Sequence, residues 1–204
     1  MKHVIIIIAL FGVSTLQAQS LLNNWSVRGG VTWANPSVIR DNIAYQTIAS
    51  TGFQFGIGKL LPITKGIGVE LSGGLTQMNT YLEVPNRFNG YLISTYGFLE
   101  TSLRGAKTVG KFTPFGSVGI RGGRLIQDNT DEVFFIAYKD QFDYGLSLAV
   151  GSEYALEKVN PFVAFGYYHG LLNIAPGNYT DGSGKLFQNE ISNSVWSLQV
   201  GVRF

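Results

Sequence analysis

The chain carries its apolar residues in alternation rather than in blocks. From Phe142 to Tyr154, the residues Phe142, Tyr144, Leu146, Leu148 and Val150 fall on one face, and Asp143, Gly145, Ser147, Ala149, Gly151 and Glu153 on the other. A period of two over that length predicts a strand and not a helix. The C-terminal segment repeats it, with Trp196, Leu198, Val200, Val202 and Phe204 against Ser197, Gln199, Gly201 and Arg203. So do Trp25 to Trp33 and Ile67 to Thr76. Weaker matches lie at 52–61, 94–104, 112–125 and 161–171. The sum is eight strands of about 9–13 residues, close to the roughly 9–11 a tilted strand needs to cross a bilayer.

The connections add independent information. Long segments (34–51, 77–93, 126–140, 172–193) alternate strictly with tight ones (62–66, 105–111, 157–160). An up-and-down barrel with turns on one rim and loops on the other has that rhythm. The predicted fold is all-β, an eight-stranded antiparallel up-and-down transmembrane β-barrel. An even strand count puts both termini on the turn side, which is the periplasmic side of a bacterial outer membrane, with the long loops extracellular.

The N-terminus reads differently. Met1-Lys2-His3 is basic, Val4 to Val13 is almost unbroken apolar sequence, and Ser14 to Gln19 turns small and polar. This is the three-part pattern of a secretory signal peptide. Cleavage after Ala18 makes 1–18 the leader and 19–204 the barrel domain. No later run reaches the 18 apolar residues of a membrane helix.

Composition narrows the function classes. Only 14% of residues are charged, against 45% hydrophobic, and glycine is abundant. Average soluble domains carry about 25% charged residues. A formal charge of +2, with no Lys/Arg run, argues against a nucleic-acid binder. The absence of cysteine removes disulfides, thiolate metal sites and a lipid-modified cysteine anchor. No phosphate loop or cofactor motif is present: Gly119 to Gly123 lies inside a predicted strand.

Alternation alone does not say which face is wet, and a lipocalin shares the strand plan with its apolar face inward. Here the polar face is Gly, Ser, Ala and Thr rather than a Lys/Glu-rich cover, and small residues suit the narrow interior of an eight-stranded barrel. The inward charges are then Arg28, Glu70, Glu100, Arg104, Arg121, Asp143, Glu153 and Arg203, four of each sign. Balanced charges pair across a narrow lumen, so they are expected to fill it with a polar network that holds strand register. Aromatics fall at both predicted interfaces: Trp25, Phe112, Tyr154, Phe162 and Phe204 toward the turns, and Trp33, Phe53, Tyr144, Tyr167 and Trp196 toward the loops.

Charge sorts by rim. Lys59, Lys65, Lys107, Lys111 and Lys158 cluster at the tight turns. The long loops hold Asp41, Glu83, Asp128, Asp131, Glu132, Asp140, Asp181 and Glu190 against Arg40, Arg87, Lys139 and Lys185. Solvation explains such acidic loops without a ligand. Asp128/Asp131/Glu132 lacks a calcium-loop consensus.

Several stretches resemble the PorT-like outer-membrane β-barrel family of Bacteroidetes, itself akin to small OmpX/OmpA-type barrels. They are Val27-Arg28-Gly29-Gly30-Val31-Thr32, Phe53 to Pro62 with its Gly56/Gly58 pair, Tyr96-Gly97-Phe98-Leu99-Glu100, Pro114 to Gly119, Phe142-Asp143-Tyr144-Gly145 and Gly170 to Ile174. The terminal Val202-Arg203-Phe204 resembles the aromatic signal read by the barrel-assembly machinery. Where the family has Leu-Glu-x-Pro, this chain has Leu99-Glu100-Thr101-Ser102. The resemblance implies the barrel fold. The family's namesake assists secretion across the outer membrane.

The functional expectation is a monomeric, non-enzymatic barrel with no cofactor or metal. Its partners are outer-membrane lipid or lipopolysaccharide, the assembly machinery, and a surface protein or polysaccharide met by the loops. Two alternatives stay open. One is a lipid A deacylase-like enzyme using His169, although Leu171 stands where the deacylase pattern puts serine. The other is a narrow channel.

Overall fold

The computed structural model describes residues 23–40, 43–44, 46–83, 89–129, 142–174, 177–180 and 186–204. The leader and its cleavage site lie outside these residues, as do Asp41, Arg87, Asp131, Glu132, Lys139, Asp140, Asp181 and Lys185. Twelve strands are described: β1 Trp25–Ala34, β2 Ser37–Arg40, β3 Ile43–Ala44, β4 Gln46–Thr64, β5 Ile67–Glu83, β6 Asn89–Ala106, β7 Phe112–Asp128, β8 Phe142–Tyr154, β9 Asn160–Gly170, β10 Gly177–Thr180, β11 Leu186–Ser192 and β12 Ser194–Arg203.

Eight of them close a barrel in the order β1-β12-β9-β8-β7-β6-β5-β4. Every neighbour pair is antiparallel, and the seam joins first strand to last through Ser26↔Arg203 to Ala34↔Val195. At the end holding both termini, the Phe204 amide donates to Trp25 O and the Asn24 amide to Phe204 O, which ties the C-terminal residue into the closure. The first tight turn passes through Gly66 at φ +83°, a left-handed conformation that favours glycine.

The two faces separate as the alternation demands. Phe55, Ile57, Leu71, Leu99, Ile120, Leu148 and Val200 stand outward and exposed, while Ser26, Thr32, Thr76, Ser102 and Ser197 are buried inside. An exposed apolar belt around a buried polar interior is the inverse of a water-soluble domain. Aromatics mark the rims of this belt. Trp33, Trp196 and Tyr167 lie in one register row across β1, β12 and β9. Phe112 meets Tyr154 edge-on at the opposite rim, its ring centre 5.1 Å away. Phe162 departs from the girdle assignment. It is buried in the lumen against Phe115, because β9 turns its even-numbered residues inward.

Three further expectations need correction. β4, β5, β6 and β7 run for 19, 17, 18 and 17 residues rather than 9–13. On β5 the outward apolar row ends at Leu75 and continues as Gln77 and Asn79, while Met78, Thr80 and Leu82 stay buried inside. The strands therefore project past the belt, because their inner face still has something to cover. A register shift between Ser50 and Gln54 of β4 lets the strand change facing there.

Second, the first and last long connections are not free loops. They pair as a separate four-stranded sheet, β10-β11-β2-β3, with β11 against β2 at Ile191↔Val38 and Glu190↔Ile39. Third, the lumen is not polar throughout. Val38, Leu82, Leu92, Ile174 and Ile191 form a buried apolar cluster beneath that sheet, with Leu172 packed on it. Ala34, Met78, Tyr96, Tyr168 and Val195 form a second apolar cluster.

Candidate functional site

Two groups of side chains stand out: the charges inside the lumen, and a small polar cluster on the outer wall.

All eight inward charges face the lumen. Five of them join into one chain near the turn end. Arg28 Nη1 lies 3.5 Å from Glu70 Oε1, and Arg203 Nη2 lies 3.0 Å from Glu70 Oε2. Arg203 Nε donates to Glu153 Oε1 at 2.8 Å, and Arg104 Nη2 stands 2.8 Å from the same oxygen, a close ion pair without hydrogen-bond alignment. The chain thus crosses β1, β5, β12, β8 and β6. Neighbouring side chains make room for it. A methyl group on Gly58 would sit 3.0 Å from Glu70 Oε1 and 3.1 Å from Ser26 Oγ. Arg104 also covers the Phe115 ring at 4.1 Å, a cation–π contact that takes the place of lost hydration.

The other three charges lie closer to the loops. Arg121 is sandwiched over Phe98 at 3.8 Å and Tyr168 at 5.1 Å. Its Nη1 makes only a long bond of 3.5 Å to Gln54 Oε1. Asp143 accepts from Asn193 Nδ2 at 2.8 Å. Glu100 is the register partner of Arg121, yet forms no ion pair within 4 Å among the described residues. A cavity of about 40 Å³ lies between the two groups, lined by Arg28, Gln54, Glu100, Arg121, Ser147 and Gln199. It has room for roughly three waters. Arg121 Nη2 and Ser147 Oγ, both buried without a protein partner, need such waters.

On the outer wall, His169 and Ser194 are register partners on β9 and β12, with His169 Nδ1 3.1 Å from Ser194 Oγ. The Tyr167 hydroxyl reaches the same Oγ at 3.5 Å. Rings line up below: Tyr167 stacks on His169 at 6.3 Å and tilts on Trp196 at 4.4 Å, and Trp196 stacks on Phe165 at 5.2 Å. Reading along one strand missed this group. Leu171 stands two residues past His169, just beyond β9, and the serine comes from the neighbouring strand. Among the described residues, no cluster of three His, Asp or Glu side chains could hold a metal.

The family model for the outer membrane protein beta-barrel domain matches residues 5–204. The chain belongs to that family. Localisation in the outer membrane follows from it. By shape, the chain is similar to the outer membrane protein OprG of Pseudomonas aeruginosa, with a TM-score of 0.56 at 17% identity over 88% of this chain and 95% of that one. It is also similar to Neisserial surface protein A, at 0.47 and 12% over 89% and 98%. A third is Ail of Yersinia pestis, at 0.43 and 13% over 89% and 99%. At these identities the likeness concerns the fold alone. Among curated protein sequences no relative is found.

Proposed function

We propose that this barrel acts through what it displays beyond the membrane rather than through what passes along its lumen. One observation carries the reading: the lumen is filled toward both rims while the first and last long connections are knitted into a sheet. The ion chain from Arg28 to Arg104 occupies the turn end. The Leu82 and Met78 clusters occupy the loop end. In this reading the termini are periplasmic and the loops extracellular. The protein is a monomer held in outer-membrane lipid, delivered by the barrel-assembly machinery through its terminal Phe204. Its partner is a surface protein or polysaccharide. The PorT-like order of motifs supports a sharper version, in which that partner belongs to a secretion apparatus. Purified protein in a planar bilayer is expected to stay silent. Discrete conductance steps would replace this reading with a channel.

A lipid-modifying enzyme is the second reading, and the His169–Ser194 contact favours it. Acyl transfer also needs a group that orients the imidazole and donors for the oxyanion. Asp143 is buried, faces the lumen and accepts from Asn193, so it does not orient the outward imidazole. The paired β9 and β12 ladders engage the surrounding backbone amides. The non-enzymatic reading expects no reaction of Ser194 with a fluorophosphonate probe; covalent labelling there would support the enzyme instead.

A further inference from the structure

We propose that Ser194, His169 and Tyr167 form a site for the phosphate-bearing headgroup of a membrane lipid in the leaflet at the loop end of the barrel. The inference is independent of which side of the membrane that end faces.

The position comes first. Val163, Phe165, Leu198 and Val200 are outward and exposed on the same two strands, so this stretch of β9 and β12 contacts acyl chains. The row containing Trp196 and Tyr167 marks the loop-side edge of the belt. One step further toward the loops on β9, the outward residue is His169, paired with Ser194. Headgroups sit at that depth.

Chemistry decides the class of ligand. The contact of 3.1 Å uses Nδ1 of His169 and leaves Nε2 without a protein hydrogen bond among the described residues. The Tyr167 hydroxyl donates to Ser194 Oγ only across a long 3.5 Å, so both hydroxyls can turn to donate to a closer acceptor. Among the described residues, the outward side chains beside it on these strands include Tyr144 and Leu146 of β8, Leu171 and Trp196, none of them a carboxylate. No carboxylate among the described residues faces these donors on the outer wall, Asp143 being turned into the lumen; such a group suits an anionic acceptor, and bonds to a charged acceptor are roughly twice as strong as neutral ones. The ring ladder from His169 through Tyr167 and Trp196 to Phe165 runs from this cluster into the belt. It offers a flat rail along which the same lipid's chain lies. A headgroup clamp continuous with a chain rail distinguishes one lipid from the annulus.

Native mass spectrometry of the full chain in detergent tests this. Phosphatidic acid is compared with diacylglycerol of the same chains, which lacks only the phosphate. Wild type should retain one phosphatidic acid about tenfold more than diacylglycerol. His169→Leu and Ser194→Ala should each lower that retention by about tenfold, the scale of one bond to a charged acceptor. Tyr167→Phe keeps the rail and should lose less. A heat-dependent gel shift shows that each variant is folded. Equal retention of the two lipids, or retention unchanged in both variants, would overturn the site. Displacement of the lipid by millimolar inorganic phosphate would assign the cluster to the free ion and overturn the lipid assignment.

Discussion

Arg203 and Glu153, fifty residues apart in the chain, meet inside the barrel with Nε 2.8 Å from Oε1. Arg203 also reaches Glu70, so one guanidinium from the last strand joins two carboxylates on opposite walls. Its neighbour Phe204 closes the backbone seam with Trp25. The residue that closes the backbone seam therefore stands next to the one that links both carboxylates.

Removing Arg203 leaves Glu153 with Arg104 alone and Glu70 with only the longer contact to Arg28. Arg203→Met is expected to destabilise the folded barrel by ~3–5 kcal/mol, the usual effect of taking one partner from a buried pair. Arg28→Met should cost less, because Arg28 is more exposed and its contact is longer. Urea unfolding in detergent, followed by tryptophan fluorescence, ranks the two; equal effects would mean the chain does not centre on Arg203.

Seam closure also depends on a residue with no side chain. A Cβ on Gly30 would run into the backbone carbonyl oxygen of Leu198 on β12. Gly30→Val should prevent β1 and β12 from pairing in register and abolish the heat-dependent gel shift. A normal shift in that variant would show that the strands can separate without loss of closure.

The apolar cluster at the loop end predicts a local effect. Leu82 is almost fully buried against Val38 and Ile191. Leu82→Ala should cost ~2–5 kcal/mol if the cavity does not collapse. The loss should fall on the β2–β11 sheet, with faster amide exchange there and unchanged protection at Trp196 to Val200. Uniform loss over the barrel would mean that sheet and barrel unfold as one unit.

The outer face sets a different cost. Val200 is 63% exposed and faces lipid. Val200→Arg should reduce folding into vesicles by roughly 2–4 kcal/mol if the site lies near the bilayer midplane. An effect below 1 kcal/mol would place Val200 at the interface instead.

How much of this was legible depended on whether a residue's role is local. Period-two alternation assigns a side to each residue before any partner is known, because neighbouring Cβ atoms must point to opposite faces. That is why Arg28, Glu70, Arg104, Glu153 and Arg203 could all be placed inside from order alone. Phe162 escaped the same logic because aromatic character was read as interface character, although its parity already put it with Ala164 and Gly166. The connecting segments carry no comparable period. Val38 and Ile191 reveal themselves as partners only when β2 and β11 are paired.

The barrel, its strand order, its two faces and the sign balance of its interior all follow from spacing along one chain and were legible before any fold was known. Which charges touch, where the lumen turns apolar, and that Ser194 lies beside His169 emerge only in the closed barrel. Those facts depend on register and closure, which bring residues from different strands to the same point in space.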